Sequence, residues 1–312
     1  MRLAFFGTPE FAVPSLQSIV RAGFDVCAVV TRPDRPRGRG LGRIESPPVA
    51  QAARSLGLRV LQPANPKVPG FLEELVSSRP EVIAVAAYGH LIPDAVLASA
   101  PGGAWNVHPS LLPRWRGPAP VHRTVWAGDA EAGVSIMRLV EKLDAGPVAA
   151  AERTAVGPRE TRGVLEARLA SLGADMLVRV LESVRNGSVR VAEQDEAAAT
   201  YAGVFKAEEC ELTWNRPADE LDRLARALAP APGAWFEFRG GRVKLLEAEP
   251  AFASAVPGTL VERGRDGAWL VAFRPGGLLM KRVQPEGKEP MTMDAFVAGR
   301  RLSPGDSLRT AG

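Results

Sequence analysis

The chain is poor in the residues from which metal centres and disulfide frameworks are built. Among 312 residues there are only two cysteines, three histidines and two tyrosines. Cys27 and Cys210 have no Cys or His near them at ligand spacing. No disulfide framework, zinc site or other metal is therefore expected, and a reducing compartment is the natural setting. Long apolar runs are also missing: nothing approaches the roughly 20 residues that span a bilayer. Met1-Arg2-Leu3-Ala4-Phe5-Phe6-Gly7 enters an apolar strand without a signal-peptide layout. A soluble cytoplasmic protein with no membrane partner is expected. The charge excess is slight, 39 Lys+Arg against 35 Asp+Glu, a net of +4. A polyanionic partner would need a local concentration of positive charge. Neither glycine pattern completes a dinucleotide fingerprint. Gly7-Thr8-Pro9 follows a strand but lacks the later glycines, and Gly38-Arg39-Gly40-Leu41-Gly42 follows an arginine-rich loop. No internal repeat is visible.

What is present is periodic. An apolar strand at 2–6 is followed by a helix from about Glu10 to Arg21 and a second strand, Val26–Val30. This opens a parallel, doubly wound α/β sheet. The pattern recurs with a strand at Arg59–Leu61, a helix near Phe71–Val76, the strand Val82–Ala86 and an apolar strand ending at Asn106. Strands apolar on both faces suit a parallel sheet covered by helices on both sides. A strand near Pro147–Glu152 precedes a long helix from about Thr161 to Asn186, stopped by Gly187. Beyond a connector the texture changes to one helix, Ala218–Leu228, and short strands separated by glycines. That texture predicts a smaller β-barrel of the oligonucleotide-binding (OB) kind. The expected domains are 1–188, a linker at 189–207, and 208–312.

Two features carry chemistry. The loop from Thr31 to Ser46 holds Arg32, Arg35, Arg37, Arg39 and Arg43 among prolines and glycines. Forked guanidinium groups on such a loop suit phosphates of a nucleic acid, although a merely solvated loop has the same composition. The second is Asn106-Val107-His108 with a distant Asp144. Side chains two apart in a strand share a face, here at a strand's carboxyl end, where open α/β sheets bind ligands. An amide, an imidazole and a carboxylate could hold an oxyanion and move a proton. A lone strand-end His is often structural, and Asp before Gly is often a turn former. The apolar clamp that follows, Ser110-Leu111-Leu112-Pro113-Arg114-Trp115-Arg116-Gly117, reads as an exposed binding face and favours a site. His122 reads as a helix-surface residue and His90 as pocket-lining at most.

These segments together carry a resemblance. Phe6-Gly7-Thr8-Pro9-Glu10-Phe11, Arg32-Pro33-Asp34-Arg35-Pro36, Ala87-Tyr88-Gly89, the run Asn106–Gly117 and Leu143-Asp144-Ala145-Gly146 resemble the methionyl-tRNA formyltransferase family of the folate-dependent formyltransferase superfamily. Weaker matches continue through Gln194-Asp195-Glu196, Tyr201-Ala202 and Trp214, so the likeness spans nearly the whole chain. The resemblance implies transfer of a formyl group from 10-formyltetrahydrofolate to the amine of initiator methionyl-tRNA. Asn106 would hold the formyl oxygen, His108 would exchange a proton, and Asp144 would orient His108 or a bridging water. Tyr88, Gly89 and Ser110, Leu111, Leu112, Pro113 would grip the folate. Gly7, Thr8 and Pro9 would face the acceptor end, and Arg35, Arg37, Arg39 and Arg43 would track the tRNA. A monomer is expected.

The sequence also departs from that family. Leu41-Gly42-Arg43 stands where a lysine pair is usual, and the linker's lysine-bearing stretch is reduced to Lys206 ahead of Glu208-Glu209. Residues 206–312 hold 16 Lys+Arg against 15 Asp+Glu, so tRNA contact there requires a patch. Two competing readings follow: a formyltransferase or hydrolase with a small-molecule acceptor, and a non-catalytic RNA-binding protein. The arginine loop and extra domain weigh against the first, the intact Asn/His/Asp set against the second.

Overall fold

The computed structural model describes residues 1–37 and 43–309, so Arg39 and the glycines around it lie outside the described residues. The chain divides into two compact units. One contains 1–120, 131–155 and 166–203; the other contains 121–130, 156–165 and 204–312.

The first unit opens with β1 (Arg2–Gly7), α1 (Val13–Arg21) and β2 (Asp25–Val30), followed by a short hairpin, β3 (Arg35–Arg37) and β4 (Arg43–Glu45). The expected helix from Glu10 begins instead as a 3-10 turn, Glu10–Ala12, before α1. Pro14 falls in the first turn of α1, where its missing N–H costs nothing. Next come α2 (Pro48–Ser55), β5 (Val60–Leu61), α3 (Phe71–Ser77), β6 (Val82–Ala86), α4 (Asp94–Leu97) and β7 (Ala104–His108). After α5 (Pro120–Ala127), which falls mainly in the second unit, come β8 (Glu131–Arg138), β9 (Val148–Ala155) and α6 (Arg162–Arg185). The seven-stranded sheet has the order β5-β2-β1-β6-β7-β8-β9. Its first five strands are parallel, and β8 and β9 add antiparallel at the β7 edge. All five residues of β6 and the last five of β1 are buried, as strands covered on both faces require. Phe6, Ile83, Phe71 and Leu75 belong to the core on one side.

β8 has no counterpart among the expected elements, because Gly133 and Ser135 interrupt its apolar pattern. Both have a local reason. A Cβ on Gly133 would sit 2.4 Å from Leu111 Cδ2, so the glycine admits the chain that leaves β7. Ser135 bonds that same chain at Ser110 and Leu112. The stretch expected as a connector contributes to this unit: Val148 and Ala192 exchange backbone hydrogen bonds of 2.8 and 2.9 Å.

In the second unit, α7 (Ala218–Ala227) precedes β10 (Ala234–Phe238), β11 (Gly241–Ala251), β12 (Leu260–Arg263), β13 (Trp269–Ala272), β14 (Gly277–Pro285), β15 (Met291–Thr292) and α8 (Met293–Gly299). The antiparallel strands pair in the order β10-β11-β14-β13-β12, with β15 on β14, so the ladder is an open path. Leu221, Leu224 and Leu228 form a core with Phe236, Val243, Met280 and Phe296. Among the described residues no helix is long and apolar enough to cross a membrane.

His122 differs from its reading as a surface residue. It is half-buried in α5 with its ring 6.2 Å from that of Phe205, and burial, with Arg162 and Arg123 nearby, pushes its pKa down to about 4. An unfolded histidine titrates near 6.5. Below that pH the unfolded chain takes up a proton that the folded chain refuses, so this contribution is present above about 6.5 and is lost as pH falls towards about 4. His122→Gln should flatten the fall in melting temperature across that window. An equally steep fall in the variant would place the acid sensitivity elsewhere.

Candidate active site

β7 carries Asn106 and His108 to the carboxyl end of the sheet. Its registers Ala86–Val107 with β6 and His108–Ser135 with β8 fix where the two side chains emerge. Alternation puts them on one face. His108 is 4% exposed and Asp144 9%, whereas Asn106 is only partly buried. Among the described residues the Asn106 amide has no hydrogen-bond partner, which leaves its N–H groups available to a ligand.

The imidazole is fixed from an unanticipated side. His108 Nε2 lies 2.9 Å from the carbonyl oxygen of Trp115. A carbonyl only accepts, so Nε2 carries the hydrogen and Nδ1 is the nitrogen left to exchange a proton. Asp144 Oδ2 stands 3.7 Å from Nδ1, close enough for Coulombic attraction but beyond a hydrogen bond. That oxygen instead accepts the backbone N–H of Gly117 at 2.8 Å. Trp115 and Asp144 hold positive φ angles of 62° and 47°. Non-glycine residues persist there only when their surroundings impose it, commonly at functional sites.

The chain after β7 is tied back on itself. Ser110 Oγ donates to Arg114 O at 2.7 Å, while Ser135 Oγ donates to Ser110 O at 2.8 Å and accepts from Leu112 N at 3.1 Å. The Ser110 hydroxyl is thus spent within the turn, and the Leu112–Pro113 bond is cis. Leu111, Leu112 and Pro113 remain partly exposed. Arg116, expected on an exposed face, has no exposed surface at all. It donates from Nε to Gln194 Oε1 at 3.0 Å and from Nη2 to Glu196 Oε1 at 2.9 Å. Those bonds offset the cost of burying a guanidinium. Arg116 first, then Lys142, hold the Glu196 carboxyl down to about 2.

The turns after β1 and β6 are joined, for Thr8 Oγ1 donates to Tyr88 O at 2.8 Å. Gly7 is required by packing: a Cβ there would lie 2.7 Å from Ala12 Cβ and 3.0 Å from Ala86 O. Tyr88 is 2% exposed and packs edge-on against Phe6 at 5.2 Å, with burial pushing its phenol up to about 12. Its hydroxyl, His90 Nε2 and Arg32 Nε are buried without a hydrogen-bond partner among the described residues. Gly89, at a φ of 84°, presents the space a side chain would fill to the Arg32 guanidinium, 3.6 Å away. Arg35 is exposed in the β3–β4 hairpin, and the backbones of Arg37 and Arg43 pair there.

Residues 1–181 match the formyl transferase family and residues 205–301 the formyl transferase C-terminal domain. The chain belongs to the formyl transferase family. It is 42% identical to a methionyl-tRNA formyltransferase of Parvibaculum lavamentivorans over 99% of this chain and 100% of that protein. It is 44% identical to one of Methylobacterium sp., covering 99% of both. Among solved structures, HypX from Aquifex aeolicus in complex with tetrahydrofolic acid shares the fold at a TM-score of 0.67 and 18% identity, over 96% of this chain and 47% of that one. WlaRD, a sugar 3N-formyl transferase, shares it at 0.65 and 14%, over 93% and 99%.

Within this family member, sequence reasoning missed Ser135, Trp115 and Gly117 as partners of the site. The Trp115 and Gly117 contributions are backbone atoms and leave no trace in residue type. Gln194 and Glu196 stand in a run noted only for its resemblance. The polar run Gln194-Asp195-Glu196 was the available signal, and nothing local tied it to Asp144, fifty residues away in the chain.

Proposed function

We propose that the protein transfers the formyl group of 10-formyltetrahydrofolate to the free amine of initiator methionyl-tRNA, as a cytoplasmic monomer serving translation initiation. The observation that carries this reading is the full-length match, through both family regions, to methionyl-tRNA formyltransferases. In the proposed reaction the amine nitrogen bonds to the formyl carbon, and the carbonyl pair moves onto oxygen. The amine then loses a proton, and the bond to the folate nitrogen breaks as that nitrogen gains one. Asn106 donates its free amide N–H to the oxyanion, a contribution that grows as charge develops. His108 exchanges the proton through Nδ1, and the Asp144 carboxylate stands 3.7 Å from that nitrogen. The donor's ring system lies along Leu111, Leu112, Pro113 and the turn at Tyr88 and Gly89, where three unpartnered polar atoms support ligand binding. Gly7, Thr8 and Pro9 face the acceptor end.

The deciding assay sets formylation of charged initiator tRNA beside the same assay on charged elongator methionine tRNA. Rapid formylation of the initiator alone is expected. Formylation of a small amine with no use of either tRNA would overturn the proposal.

The arginine loop is proposed to follow phosphates of the acceptor stem. Arg39→Ala with Arg43→Ala should raise KM for tRNA and leave kcat nearly unchanged. Losing two phosphate contacts should also lower the slope of log affinity against log salt by about two. A slope identical to that of the unaltered enzyme would show that neither arginine meets a phosphate.

A further inference from the structure

Arg116 is the bulkiest fully buried side chain among the described residues, and it lies between the two backbone groups that hold the site. On one side of it the Trp115 carbonyl meets His108 Nε2 at 2.9 Å; on the other the Gly117 N–H meets Asp144 Oδ2 at 2.8 Å. Three consecutive residues therefore grip both the imidazole and the carboxylate. Their placement depends on what pins Arg116.

That pin is Gln194. Its Oε1 accepts from Arg116 Nε at 3.0 Å, and its Nε2 donates to the carbonyls of Asp144 at 2.9 Å and Gly146 at 2.7 Å. One uncharged side chain thus ties the segment bearing the grip to the loop bearing the carboxylate. It also braces that loop where Asp144 holds a φ of 47°. Glu196 secures the other end of the guanidinium and is itself bonded by Lys142 Nζ at 2.6 Å. Thr200 closes the arrangement: its Oγ1 accepts from Trp115 N at 2.9 Å and its carbonyl from Arg116 N at 2.8 Å.

We infer that Gln194, acting through Arg116 and the Asp144 loop, is a positioning residue that sets the separation between His108 Nδ1 and the Asp144 carboxylate. Its amide suits the task because it supplies an acceptor for the guanidinium and two donors for the loop without a charge to compete with Asp144. The inference rests on reading His108 and Asp144 as the proton-handling pair of the proposed reaction.

Gln194→Glu is the discriminating variant. The carboxylate keeps an acceptor for Arg116 and loses both donors to the loop. Misplacing a reacting group by about 1 Å can cost on the order of a hundredfold in rate. We expect kcat to fall roughly 10- to 100-fold, with KM for folate and tRNA changed less than about twofold. In an Asp144→Asn background, followed by single turnover, the same change should cost less than about twofold, because the partner through which it acts is already disabled. The chain's three histidines allow the His108 ring to be followed by NMR. Its ring resonances should shift, while those of His90 and His122 stay.

An equal loss in both backgrounds, a KM rise matching the kcat fall, or unmoved His108 ring resonances would each make Gln194 ordinary packing and overturn the inference. If Gln194→Glu loses its cooperative melt, Glu196→Gln loosens Arg116 from the solvent side, and the same three readouts decide. The His108 resonances are read without substrate. Their movement in a protein that fails to formylate tRNA would sink the functional proposal and leave the positioning role standing.

Discussion

Replacing His108 with alanine is expected to lower kcat by roughly 10²- to 10⁴-fold, the span over which positioned proton transfer operates. KM for both substrates should barely change. The geometry is specific about why. Nε2 is committed to the Trp115 carbonyl, so proton exchange falls to Nδ1, which faces the Asp144 carboxylate 3.7 Å away. Alanine removes that nitrogen but leaves Asp144 anchored by the Gly117 N–H and its main chain strapped by Gln194. The fold should therefore survive, with a cooperative melt near that of the unaltered protein. Asp144→Asn is the companion variant. Its amide oxygen can still accept from Gly117, yet the negative charge facing His108 Nδ1 is gone, so a large loss of kcat is expected with the loop in place. Formyl transfer at the normal rate by either variant, measured with charged initiator tRNA, would remove the pair from the mechanism.

Much of this arrangement was legible because it is written in local period. The apolar run predicts β6 at Val82–Ala86, the span it occupies, and ends β7 at Asn106, two residues short of His108. The long helix expected from about Thr161 to Asn186 is α6, Arg162–Arg185. β6 shows as an unbroken apolar run between two helical layers, and α6 as apolar residues recurring at helical spacing. What escaped is what period cannot encode. β8 hides because its inward positions include Gly133, kept small by Leu111, and Ser135, kept polar by the backbone at 110 and 112. Arg116 looked like a surface cation because arginine rarely lies wholly inside unless paired. Its partners at 194 and 196 are some eighty residues away in the chain, too distant for any window to join them. Asn106, His108 and Asp144 could be named from residue type and spacing. The orientation of the imidazole could not, since it depends on a carbonyl that every residue possesses.

The second large effect is expected at Asn106. Removing one preorganised donor to a developing oxyanion typically costs roughly 10²- to 10³-fold in kcat, and Asn106→Ala should lose that much. Asn106→Asp tests the sign of the interaction as well as its presence. The substitution is nearly isosteric, so the strand register between Met137 and Val85 should hold. It nevertheless turns a donor into an anion beside the growing negative charge. The aspartate variant should be slower than the alanine variant despite filling the space better. If Asn106 served only to shape the pocket, the order would reverse, and aspartate would retain more activity than alanine. Folate affinity measured at equilibrium should distinguish the variants far less than kcat does, because the charge that Asn106 meets is present only in the transition state.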